Sequence, residues 1–84
     1  MKRITVRYFA SIREAVGQGS EQVQTSAATL GALRDELIAR GGAHASSLAR
    51  GKAVRMALNQ VLSDDAAALA DGAEVAFFPP VTGG

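Results

Sequence analysis

Residues 2–9, KRITVRYF, alternate cleanly: Ile4, Val6 and Tyr8 fall on one side of an extended chain, and Arg3, Thr5, Arg7 and Phe9 fall on the other, where Phe9 breaks the polar face. Successive side chains of a strand point to opposite faces, so this pattern predicts a half-buried strand. A second alternation, Glu74 to Phe78, lies near the far end of the 84 residues. It puts Val75 and Phe77 on one face and Ala76 and Phe78 on the other. Between these framing strands there is one long helical pattern, Thr29 to Arg40. Thr29 is its N-cap, and Leu30, Leu33, Leu37 and Ile38 form its apolar stripe. Arg40 falls in the last turn, where a cation suits the helix dipole, and Gly41-Gly42 ends the helix. Arg34, Asp35 and Glu36 are expected to face water.

The remaining segments are shorter. Ser11 and Glu14 have capping-box spacing, which predicts a helix running to Val16 and stopping at Gly17. Gly17 to Ser20 reads as a turn, since it lacks the third glycine of a phosphate loop. Glu21 to Thr25 reads as a strand with Val23 inward. Ala43 to Lys52 reads as irregular, with a single helical turn at Ser46 to Ala49 and a solvated His44. Val54, Met56 and Leu58 alternate as a third strand, Asn59-Gln60 turns the chain, and Val61-Leu62 forms a brief edge strand. Asp64 and Asp65 are adjacent and so point apart, which suits a turn better than paired acid–base work. Leu69 is a buried anchor, Asp71-Gly72 a turn. Pro79-Pro80 ends strand pairing because neither residue has an N–H to donate.

With this order, the economical solution is a mixed sheet laid over one helix. Its first and last strands lie parallel, because the long crossover between them carries the helix. That is an α+β, β-grasp (ubiquitin-like) architecture packed on one main helix. A ferredoxin-like sheet would need a second full helix, and none is visible. The division expected is a domain over residues 1–80 and a projecting tail over residues 81–84.

Composition narrows the function. The chain is 48% apolar, but 17 of its 40 apolar residues are alanine. The 23 larger ones suffice for a small core and leave little for an enclosed active-site pocket, so no independent active site is expected. Net charge is +1 with both signs interspersed, which argues against nucleic acid as a partner. There is no cysteine and one histidine, which removes thiolate chemistry and makes a zinc site untenable. The longest apolar run, Ala66 to Ala70, is too short to enter a membrane as a span, and a cytoplasmic location is the default expectation.

The ending, FFPPVTGG, is the most informative stretch. Pro79 and Pro80 favour a stiff, extended start, and six extended residues reach roughly 20 Å. Gly83 and Gly84 lack Cβ atoms, so they thread a narrow channel and leave the terminal carboxylate unhindered. A carboxylate with a pKa of about 3.5 is ionised and inert to nucleophiles at neutral pH. Adenylation activates it, and a sulfur donor can then displace AMP to leave a C-terminal thiocarboxylate. Without cysteine, a sulfur carried by this chain must sit at the terminus. Phe9, Leu62 and Phe78 are expected on the face away from the helix, or at its edge, as a docking patch beside the tail.

These residues resemble the small, sulfur-carrier subunit of molybdopterin synthase. The FFPPVTGG ending is the specific part. Further matches are Phe9-Ala10 with Arg13-Glu14, Leu33-Arg34, Asn59-Gln60, and Asp71-Gly72 with Glu74-Val75. The alanine-rich run DDAAALADG departs from the more varied loop of typical members. The resemblance implies no intrinsic cofactor. It implies an adenylyltransferase of the ubiquitin-activating type that uses ATP on Gly84, and a sulfur donor protein. It further implies a large synthase subunit that joins two copies of this chain in a 2+2 heterotetramer. The thiocarboxylate would give sulfur to cyclic pyranopterin monophosphate in molybdenum cofactor biosynthesis. By the same resemblance Gly83 and Gly84 carry the chemistry, and Pro80, Val81 and Thr82 line the partner's channel. Phe78, Leu62 and Phe9 make the hydrophobic contact, and Arg13 is a rim contact. Three other functions use a similar chain: a sulfur carrier for thiamine thiazole or a related thiolation, a ubiquitin-like protein modifier, and a plain interaction module.

Overall fold

A computed structural model of the chain describes residues 1–80. Among them are five strands and three helices. Strand β1 (Lys2–Tyr8) buries Ile4, Val6 and Tyr8 almost completely, as its alternation predicts. Helix α1 (Ala10–Val16) follows at once. Its N-cap is Phe9, without a side-chain cap, so Ser11 is not the capping residue. The sheet decides this. Phe9 N still donates to Phe77 O at 3.2 Å, and Phe9 O already accepts from Ile12 N at 3.1 Å. Pairing and helix therefore meet at one residue, and Ile12 is drawn into the core. Gly17, with φ of 89°, ends α1 in the left-handed region, which glycine enters without strain.

Strand β2 (Ser20–Thr25) runs antiparallel to β1. Helix α2 (Leu30–Ile38) is capped by Thr29, whose Oγ1 accepts from Ala32 N at 3.2 Å. Leu30, Leu33 and Leu37 are buried, Ile38 is half-buried, and Asp35 and Glu36 are exposed. Arg34 is not: it is only 6% exposed. Arg40 lies beyond the last helical residue rather than in the final turn.

Helix α3 (Gly42–Leu48) is two turns long where an irregular loop with a single turn was expected. Its sequence, GAHASSL, has too few large apolar residues to show a helical stripe. It forms because Leu48 is fully buried and Arg34 reaches over from α2. Arg34 Nε donates to Leu48 O at 2.8 Å and Nη2 donates to Ala49 O at 2.9 Å, satisfying carbonyls that a helix end leaves free.

Strands β3 (Arg55–Leu58) and β4 (Val61–Ser63) form a hairpin through Asn59 and Gln60. Both turn residues have positive φ, the requirement of a tight two-residue hairpin turn. The alanine-rich run that follows closes on the N-terminus of α2. Leu30 N donates to Ala67 O at 3.1 Å, Gly31 N to Asp65 O at 3.0 Å, and Leu69 N to Ala28 O at 2.9 Å. Asp65 also pairs with Arg50, which reaches Asp35 at 3.0 Å. Asp64 Oδ1 accepts from Ala66 N at 3.0 Å, so the two neighbouring aspartates are parts of a loop fastening.

Strand β5 (Glu74–Phe78) lies parallel to β1 and antiparallel to β3. The sheet order is β2-β1-β5-β3-β4. The parallel pairing of first and last strands at its centre is the β-grasp arrangement. Beside α2 stand two seven-residue helices, α1 and α3, and the parallel pairing of first and last strands separates the fold from a ferredoxin-like sheet.

Candidate functional site

The sheet has a core face and an open face. Pairing places Met56, Phe77 and Tyr8 side by side towards the helices. On the open face, Arg7, Ala76, Ala57 and Leu62 stand in one row across β1, β5, β3 and β4. In the next row Phe78 stands opposite Arg55, and Phe9 follows Tyr8 at the end of β1.

Phe9 and Phe78 line one shallow groove with Ala76, Pro79 and Pro80, and Arg7 borders it. Phe9 is 40% exposed. Its ring lies under the Arg7 guanidinium, 5.4 Å from centroid to Cζ. Leu62, 63% exposed, is on the same face but on edge strand β4, where it borders a separate hollow with Val54 and Met56. The two alanines between these walls keep the floor of the face low. The three expected apolar residues therefore share a face, two of them in one groove and the third across the alanines.

Arg13 lies elsewhere. It is exposed on α1 and its side chain covers Gly19, where an added Cβ would sit 3.3 Å from Arg13 Nε. Pro80 lines the groove at the point from which the chain leads on. Val81, Thr82, Gly83 and Gly84 lie outside the described residues.

A polar cluster not anticipated from the sequence sits beside the core. The Tyr8 hydroxyl donates to Glu21 Oε2 at 2.6 Å, and Arg40 Nη1 donates to Glu21 Oε1 at 2.8 Å. His44 Nε2 lies 3.0 Å from Glu21 Oε2, and its ring meets Tyr8 edge-on at 5.8 Å. His44 is therefore half-buried and partnered, not solvated, because α3 carries it onto β2. Burial alone would raise the Glu21 carboxyl, but hydrogen bonds from Tyr8, His44 and Arg40 outweigh it and hold the pKa at about 2. Burial, with Glu21 adding to it, pushes the Tyr8 phenol well above its ordinary range. One signal was available: a buried tyrosine needs a partner for its hydroxyl. Which residue supplies it depends on strand register. Tyr8 also stacks on Phe77 at 6.2 Å, so the cluster braces the core side of the two strands that flank the groove.

Among the described residues, no group of three or more His, Cys, Asp or Glu side chains is placed to hold a metal ion. No helix there is long and apolar enough to cross a membrane.

The fold and the exposed groove at the end of β5 define a β-grasp domain of the ubiquitin-like class, with an apolar open face beside its C-terminal strand. The chain belongs to the ThiS family, whose model matches residues 6–84. It is 44% identical over 81 residues to a protein of Escherichia coli (strain K12) named molybdopterin synthase sulfur carrier subunit, covering 96% of this chain and 99% of that one. Its fold is similar to SAMP1 from Haloferax volcanii, with a TM-score of 0.78, 27% identity and coverage of 98% of this chain and 99% of that one. It is also similar to a chain in the complex of subunits 1 and 2 of the molybdopterin-converting factor from Helicobacter pylori. There the TM-score is 0.66 and the identity 28%, with coverage of 98% and 99%.

Proposed function

We propose that the chain is the sulfur carrier subunit of a molybdopterin synthase. The observation that carries this is its full-length similarity, at 44% identity, to a relative of that name. The ending Pro79-Pro80-Val81-Thr82-Gly83-Gly84 and the absence of cysteine from the sequence support it. The Gly84 carboxylate attacks the α-phosphorus of ATP on an activating partner, and pyrophosphate leaves. A persulfide on a donor protein then attacks the acyl carbon and AMP leaves, joining the two chains through an acyl disulfide. A second thiol of the donor attacks the donor-side sulfur of that bond, which releases the thiocarboxylate and leaves a disulfide on the donor. Residues 81–84 serve as the arm that delivers it. The ATP belongs to the partner, and this chain needs no cofactor of its own. Because activation consumes ATP, we place the cycle in the cytoplasm.

The open-face groove suits a large synthase subunit, whose active site receives the tail and transfers sulfur to cyclic pyranopterin monophosphate. The Helicobacter pylori structure, a complex of subunits 1 and 2 of the molybdopterin-converting factor, supports a second subunit as partner. A 2+2 heterotetramer follows from the same reading. Phe9, Phe78 and Leu62 make the contact, Pro80 sets the direction of exit, and Gly83 and Gly84 enter the channel. Arg13, away from the groove, has at most a place at the rim.

Intact-protein mass spectrometry after incubation with ATP, the cognate activating enzyme and a sulfur source tests this. The expected result is exchange of one terminal oxygen for sulfur, lost in Gly84→Ala, which leaves the domain folded. An unchanged mass with active partners would overturn the carrier role. An adduct the size of another protein would make the chain a protein modifier instead.

A further inference from the structure

On the open face, Ala76 and Phe78 of β5 lie between two strands that each carry an arginine the sulfur-carrier chemistry does not use. Arg7 stands at the β1 end of the row that holds Ala76, Ala57 and Leu62, and Arg55 stands opposite Phe78 in the next row. Elsewhere the described arginines that meet carboxylates do so closely: Arg40 lies 2.8 Å from Glu21 and Arg50 lies 3.0 Å from Asp35. Arg7 reaches Glu74 only at 3.9 Å, and its side chain stays 47% exposed. Among the described residues Arg55 is exposed and has no carboxylate within 4.0 Å.

A protein that covers Phe9, Phe78 and the alanine floor also strips water from these two guanidinium groups. Removing water from a cation that has no carboxylate partner among the described residues, as Arg55 has none, or only a loose one, as Arg7 has in Glu74, is unfavourable unless an anion replaces it. We infer that the partner's docking segment is acidic: an apolar side chain seated over Ala57 and Ala76, flanked by two carboxylates, one facing Arg7 and the other Arg55. This specifies the partner chemistry of the proposed sulfur-carrier face and rests on that reading. Strand β5 separates β1 from β3, with strands about 4.8 Å apart, and Arg55 stands two residues, roughly 7 Å, further along than Arg7, so the two carboxylates stand roughly 12 Å from each other. The chain's net charge is only +1, so the attraction is local to this face. Arginine's planar fork suits a carboxylate well, but the attraction itself depends on charge.

Association with the purified large subunit of the cognate synthase, followed by stopped flow at low and high salt, tests the inference. The double variant R7Q/R55Q is expected to associate about tenfold more slowly than wild type at low salt, since rim charges act chiefly on the on-rate. The gap narrows at high salt, where screening removes the attraction. R7K/R55K keeps the charge and is expected within about threefold of wild type. Equal on-rates for R7Q/R55Q and wild type would overturn the inference and leave the carrier reading standing. So would a lysine variant as slow as the glutamine variant, because lost packing rather than lost charge would then explain both. Wild type that fails to bind the large subunit would sink the carrier reading, and this inference with it.

Discussion

Phe77 and Phe78 are neighbours in the chain and lie on opposite sides of the sheet. Phe77 has no exposed surface and stacks on Tyr8, whereas Phe78 lines the open groove with Phe9 and Pro80. One residue holds the fold together, and the next stays at the groove, where the proposed function has it meet the partner. Phe77→Ala is expected to destabilise the domain by about 3–5 kcal/mol, the range for emptying a buried aromatic site. Phe78→Arg is expected to leave the unfolding transition largely unchanged and to abolish binding to the large subunit. Urea denaturation and a binding titration on both variants check the pair. Undiminished binding by Phe78→Arg would remove the groove from the mechanism.

The Glu21 cluster makes stability depend on pH at both ends of the scale. The Glu21 carboxyl titrates at about 2 in the folded protein against an ordinary 4.5. A depressed folded pKa contributes stability that is complete above pH 4.5 and is lost as pH falls towards 2. The Tyr8 phenol is shifted upwards from 10.0, so its contribution is complete below pH 10 and is lost as pH rises beyond it. Urea midpoints measured across pH should fall at both ends in wild type. Glu21→Gln should be less stable at neutral pH and show a weaker acid-side decline. An unaltered acid-side slope in that variant would show that other carboxylates set it.

Arg34 ties α2 to the end of α3 through two backbone carbonyls. Arg34→Met keeps much of the side-chain volume but leaves the carbonyls of Leu48 and Ala49 without these donors. Each unsatisfied buried acceptor costs about 1–3 kcal/mol, so a loss in that range or somewhat above it is expected in thermal unfolding. Hydrogen exchange should quicken first in α3. Unchanged exchange there would mean that Leu48 alone holds the helix.

Gly31 sits where the loop of Asp64 to Leu69 closes on α2. A Cβ at this position would lie 2.9 Å from Asp65 Cβ. Gly31→Ala in a helix would ordinarily be favourable by about 1 kcal/mol. Here the clash forces the loop outwards and breaks the bond from Gly31 N to Asp65 O, so a net loss of about 1–2 kcal/mol is expected. A melting temperature at or above wild type would show that the loop yields without cost.

Much of the architecture was legible because it is written locally. The alternation at Ile4, Val6 and Tyr8, and again at Val75 and Phe77, marks the buried side of each strand whatever the strand pairs with. Thr29 as a cap, Gly17 as a stop and Asn59-Gln60 as a turn are likewise properties of a few adjacent residues. Helix α3 was not legible, because GAHASSL has no stripe of large apolar side chains and is held by Arg34 from another element. Ser11 looked like a cap, but β1 pairs through Phe9 and moves the start of α1.

The sequence by itself determined which strands and which main helix form, which side of each strand is buried, and that no cysteine thiolate is available for chemistry. Those follow from side-chain period and from functional groups carried by the chain itself. Tertiary structure alone decided where polar side chains find their partners. Arg34 is buried because two carbonyls wait for it, His44 is partnered because α3 swings it onto Glu21, and Arg7 and Arg55 stand on either side of β5 because it joins β1 and β3 in register. A polar group's state depends on what distant segments bring within about 3 Å of it, and no local pattern records that.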